Sequence, residues 1–129
     1  MQRIGEKLKA VFESIPEVKL VYLFGSRARK QEGDLSDYDF AVYIEERDRE
    51  KLFEIRINLM NKIAKTLQTD KVDLLILNSQ ASPDIKYFAI KEGILIYENE
   101  FYRVKIEPQI LNEYFDFEIM LRKNNLTMA

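Results

Sequence analysis

The strand-forming run Lys19-Leu20-Val21-Tyr22-Leu23-Phe24 is cut off by Gly25-Ser26, and a second run, residues 38–44, follows twelve residues later. Two such runs, each bounded by turn residues, commit this part of the chain to a sheet. Around them the apolar spacing is helical. Ile4, Leu8, Val11, Phe12 and Ile15 predict an amphipathic helix over 2–15, stopped by Pro16. A short helix is expected from near Arg27 to around Gly33. The charged stretch 45–51 opens a long helix with two apolar stripes, Leu52, Ile55, Leu59 and Ile63, and Phe53, Ile57, Met60, Ala64 and Leu67. Two stripes predict burial on more than one side.

Residues 72–77 read as a third strand. A helix starts at Ser82-Pro83 and ends at Gly93, and 94–97 make a short fourth strand. A last helix is expected over 107 to about 122, opened by Pro108 and apolar on much of its circumference, with a polar tail over 123–129. The order αβαβαβαβα gives an α/β (α+β) fold: one domain over 1–129, with a mixed sheet of about four strands flanked by helices.

Hydrophobic residues make up 47% and charged residues 33% of the 129, which fits a soluble globular chain. No apolar run approaches the roughly 18 residues needed to cross a bilayer. The first residues have no signal-peptide core, so no membrane partner and a cytoplasmic location are expected. Cysteine and histidine are both absent. Any metal or proton chemistry must then rest on carboxylates, lysines, tyrosines or hydroxyls, and an all-oxygen site points to magnesium or manganese. The net charge is −2, which offers no broad grip on a long nucleic acid. The local cluster Arg27, Arg29 and Lys30 suits a small polyanion such as a nucleoside triphosphate.

Asp37 and Asp39 stand two apart at the start of the second strand, so their side chains share a face. Asp73 lies between Val72 and Leu74 in the third strand, where a lone carboxylate is costly unless it sits at the sheet rim or is compensated. If the second and third strands are neighbours with aligned starts, the three carboxylates converge, and a divalent cation would compensate them. Gly25 lets the backbone approach a phosphate, Ser26 and the N–H groups after it can donate to phosphate oxygens, and Arg27 or Arg29 can neutralise developing charge. Each feature alone is ordinary; Asp34 and Asp70 read as plain turn residues. In conjunction, each part at a strand boundary, they point to a nucleotidyl-transfer site.

With these residues the chain resembles the DNA-polymerase-β-type nucleotidyltransferase superfamily, and within it the minimal nucleotidyltransferases. Their motif is Gly-Ser, ten residues, Asp-x-Asp, here Gly25, Ser26, Asp37 and Asp39. The flanking residues 25–29 and 36–42 match as well, and the family's third carboxylate, in a Val-Asp-Leu segment, falls on Asp73. Lys30 departs from the glycine of many relatives.

The resemblance implies a small palm fold in which Asp37 and Asp39 bind two metal ions, and Asp73 binds one of them and helps deprotonate the attacking hydroxyl. It also implies a HEPN-type RNase toxin as partner, an antitoxin role, and transfer of AMP from ATP to a tyrosine of that toxin. The aromatic last helix, with Tyr114, Phe115, Phe117 and Met120, fits such a partner or a second copy of the chain. Two other readings remain open at this point: a non-catalytic module that neutralises the toxin by covering it, and an aminoglycoside-type enzyme acting on a small molecule.

Overall fold

The computed structural model describes residues 2–25, 37–79 and 81–124. The elements are α1 (Gln2–Glu13), β1 (Val18–Phe24), β2 (Tyr38–Ile44), α2 (Arg49–Leu67), β3 (Val72–Ile76), α3 (Pro83–Glu92), β4 (Ile94–Glu98) and α4 (Tyr102–Lys123). The four strands form one sheet in the order β3-β2-β1-β4. β1 runs antiparallel to β2 and β4, while β2 and β3 are parallel and joined through α2, as a parallel pair requires. The sheet is therefore mixed and flanked by helices, as expected from the sequence.

Two apolar layers fasten the helices to it. Val21 and Leu23 of β1, with Phe40 and Val42 of β2, bury against Leu8 and Phe12 of α1 and Leu59 and Ile63 of α2. On the opposite face, Leu20, Tyr22 and Ala41 bury against Ala89 of α3 and Ile106 and Ile110 of α4. The period of two is visible within β1, whose successive residues alternate between the layers. That explains why this strand is apolar almost throughout: it is covered on both sides.

Local signals set the ends. Asp48 caps α2, its carboxylate accepting from the backbone N–H groups of Glu50 (2.9 Å) and Lys51 (3.1 Å). Gln68 closes the same helix in the left-handed conformation. Beyond β2, the amide of Asn78 grips the backbone of Ile44, accepting from its N–H (3.2 Å) and donating to its carbonyl (2.5 Å).

Three expectations are corrected. α1 ends at Glu13, ahead of Ile15, which is buried in the following turn. α4 begins at Tyr102, five residues before the expected start, and Pro108 lies inside it. The carbonyl that Pro108 cannot serve belongs to Val104, which is 74% exposed and so open to water. The second stripe of α2 is not buried throughout: Phe53 is 59% exposed and Ile57 38%. The expected short helix from Arg27 to Gly33 lies outside the described residues.

Candidate active site

The parallel register sets Tyr38 beside Val72 and Asp39 beside Asp73. A hydrogen bond from the Tyr38 N–H to the Lys71 carbonyl (2.8 Å) fixes this alignment at the strand starts. Asp39 also faces Phe24, the last residue of β1, across the antiparallel pair. The end of β1 and the starts of β2 and β3 thus form one edge of the sheet. Alternation places the side chains of Asp39 and Asp73 on the face that carries α3 and α4, because Phe40 and Leu74 belong to the opposite layer, and Asp37, just ahead of β2, is near enough to act on Asp39 by its charge. The condition for convergence, adjacent strands with aligned starts, is met.

Asp39 is half-buried, whereas Asp37 and Asp73 are exposed at the rim. Burial, reinforced by the charges of Asp73 and then Asp37, pushes the Asp39 carboxyl above its ordinary value. The rise reports burial first, and then the negative charge of Asp73 and Asp37. Among the described residues no three acidic side chains close into a ready-made metal cage. The aspartates form an open row instead. That suits a hard cation that keeps water and phosphate oxygens as its remaining ligands, as magnesium does. The all-oxygen donor set fits magnesium or manganese.

Gly25 joins the bend to this row. Its φ is +78°, a left-handed conformation that side chains rarely adopt, and a Cβ there would stand 2.5 Å from Oδ2 of Asp39. The bend is therefore pressed against the Asp39 carboxylate, and any side chain at 25 would displace it. The sequence motif implied phosphate approach at Gly25; this second constraint, contact with Asp39, came from the strand pairing. Ser26, Arg27 and Arg29 lie outside the described residues.

One polar cluster of the same sheet face escaped sequence reasoning. The buried Tyr22 hydroxyl donates to Glu107 Oε2 (2.5 Å), and Arg103 Nε donates to the same oxygen (3.0 Å). Burial, and then the bond to Glu107, pushes the Tyr22 hydroxyl far above the usual tyrosine range. The cluster ties the first half of α4 to β1, the strand that leads into Gly25. The only signal in the sequence was a tyrosine at an inward position of β1.

Further along α4, Tyr114 stacks on Tyr87 of α3 with ring centroids 4.0 Å apart, while Phe115, Ile119 and Met120 remain about half exposed. α4 is thus anchored by the Tyr22–Glu107 bond and the Tyr114–Tyr87 stack, and its second half also presents an accessible apolar side of Phe115, Ile119 and Met120. No helix among the described residues is long and apolar enough to cross a membrane.

The family model described as "Polymerase beta, Nucleotidyltransferase" matches residues 6–102. Protein adenylyltransferase MntA of Aphanizomenon flos-aquae (strain 2012/KM1/D3) is 32% identical over 91 residues, which are 65% of this chain and 59% of that protein. Among solved structures, a toxin–antitoxin complex with AMP-PNP superposes with a TM-score of 0.74 at 22% identity, covering 92% of this chain and 93% of the other. The complex of a tri-AMPylated Shewanella oneidensis HEPN toxin with its MNT antitoxin gives 0.67 at 23% identity, covering 95% and 94%. These two structures establish the shared fold.

Proposed function

Because the chain belongs to the polymerase-beta nucleotidyltransferase family, we propose that it transfers AMP from ATP to a tyrosine hydroxyl of a HEPN-type RNase toxin, acting as that toxin's antitoxin in the cytoplasm. The reading is supported by a relative named as a protein adenylyltransferase and by solved complexes of like fold, one with AMP-PNP and one with a tri-AMPylated HEPN toxin. It is carried by one observation: Asp39 and Asp73 occupy paired positions on parallel strands, with Gly25 pressed against Asp39.

In this proposal the whole chain acts as one catalytic domain. Asp37, Asp39 and Asp73 would hold magnesium, or manganese in its place. Bound there, the ion offsets the charge of the carboxylates and of the triphosphate. Gly25 and Ser26 bring the backbone against the phosphates, and Arg27 and Arg29 balance their charge. The acceptor oxygen attacks the α-phosphorus and forms a new P–O ester bond. The bond from that phosphorus to the bridging oxygen breaks, and pyrophosphate leaves. Asp73, exposed at the rim, takes the hydroxyl proton. The accessible second half of α4 faces the partner.

The test is incubation of the purified chain with magnesium, α-labelled ATP and the cognate HEPN-type protein. Label should appear on a partner tyrosine, and no incorporation would defeat the reading. An Asp37→Asn, Asp39→Asn variant that neutralises the toxin undiminished would assign neutralisation to binding alone.

A further inference from the structure

A groove separates α2 from β3, the outer strand of the sheet. It comprises two adjoining cavities of about 340 and 570 Å³ that share Arg49, Leu52 and Ser79. Its apolar part is made by Leu52 and Phe53 of α2 above Leu74 and Ile76 of β3, and Phe53 is 59% exposed, the most solvent-exposed apolar side chain of α2. Arg49 and Arg56 stand two turns apart on α2, about 10 Å along its axis, and Arg47 adds a third cation at the far end. Glu46 is the one carboxylate among the described residues lining the groove.

The groove also runs along hydrogen-bonding backbone. The N–H of Leu77 donates inward to Val42 (2.8 Å), so alternation turns the N–H groups of Leu74 and Ile76 towards the open edge. At that edge Arg56 reaches to 3.5 Å from the Leu74 carbonyl. Leu74 directly follows Asp73.

From this combination we infer that the groove is the docking site for an extended, acidic segment of the acceptor protein, which pairs with the open edge of β3. The inference rests on the adenylyl-transfer reading above and adds to it the surface that presents the acceptor. The segment's apolar residues pack on Leu52 and Phe53, and its carboxylates meet Arg47, Arg49 and Arg56. Strand addition suits such an edge, since main-chain bonds give affinity and alternate side chains give specificity. A segment paired with β3 runs past Leu74 to the rim that carries Asp73, and it must round that rim to bring its hydroxyl to the carboxylate assigned to take its proton.

The test measures affinity for the cognate HEPN-type protein and AMP transfer to it, with wild type and two variants. One variant is Phe53→Ser with Arg56→Glu. The other, Arg47→Glu with Arg49→Glu, changes only exposed side chains and leaves the Arg56 contact in place. Magnesium-dependent AMP-PNP affinity and the melting temperature serve as controls. Partner affinity is expected to fall at least about tenfold in both variants, with AMP-PNP affinity unchanged. Wild-type affinity should also weaken as salt rises.

Unchanged partner affinity in a folded Arg47→Glu, Arg49→Glu variant overturns the inference, and if wild type still transfers AMP, the functional reading stands. A wild type that binds the partner without transferring AMP defeats the functional reading, while the variant affinities still decide the docking site. A wild type that does not bind the partner overturns both.

Discussion

Gly25→Ala puts a methyl group where the structure has no room for one. Two separate costs follow. The left-handed backbone, at φ +78°, costs an L-residue about 1–2 kcal/mol. The new Cβ also stands 2.5 Å from Asp39 Oδ2, well inside contact distance. That atom is the end of a rotatable side chain, so the fold survives and the carboxylate turns away. For a domain of this size the backbone term lowers the melting temperature by about 3–10 °C. If Asp39 holds the cation as proposed, displacing it by about an ångström costs on the order of 100-fold in transfer rate.

Gly25→Asn separates the two costs, because asparagine tolerates the left-handed region but still carries a Cβ. It should melt closer to wild type and lose as much activity as alanine does. Calorimetric melts and AMP transfer well below the melting range measure the pair. In an Asp39→Ala background the alanine at 25 should cost stability through the backbone alone, a coupling that a double-mutant cycle reads directly. Wild-type melting and transfer in Gly25→Ala would refute the reasoning, since both terms come from the same coordinates.

Asp39 sets a pH dependence. Its folded-state value is raised above 3.8 by burial and by Asp73 and Asp37, so the folded state holds the proton more tightly than the unfolded state. The stability it contributes is present below the unfolded value and is lost as pH rises through the folded one. Magnesium-free wild type should lose stability across that window in urea titrations, and Asp39→Asn should not. Magnesium should raise the melting temperature of wild type at neutral pH and leave that of Asp39→Asn unchanged. Tyr22→Phe removes a buried bond to a carboxylate and should cost about 1–2 kcal/mol by denaturant unfolding without changing the magnesium response. Pro108→Ala restores a donor within α4 and should raise stability by about 1–3 kcal/mol in the same assay.

The strands were legible because their residues alternate between two apolar layers, and β2 lies where its β-rich run placed it, at Tyr38–Ile44. Asp39 and Asp73 could be singled out because each departs from the composition of its strand, and Asp37 because it stands two residues before Asp39. Their approach depended on strand order, which one sequence does not encode locally; the parallel register of β2 and β3 supplied it. The start of α4 was misread because Pro108 suits a first helical turn. The actual start is set by a side chain outside the helix, Glu98 accepting from the Arg103 N–H five residues on (3.0 Å). The exposed stripe of Phe53 and Ile57 has the same helical period as a buried one, so periodicity alone could not separate them. The Tyr22–Glu107 bond joins residues 85 apart and left no mark in either segment.

Adenylyl transfer by this chain requires one cation site built from two strands. Manganese binding followed by electron paramagnetic resonance, with AMP-PNP present, tests it most directly. Wild type should bind manganese in competition with magnesium, and Asp39→Asn and Asp73→Asn should each weaken that binding at least about tenfold while remaining folded. Manganese bound as tightly by both variants as by wild type would contradict it.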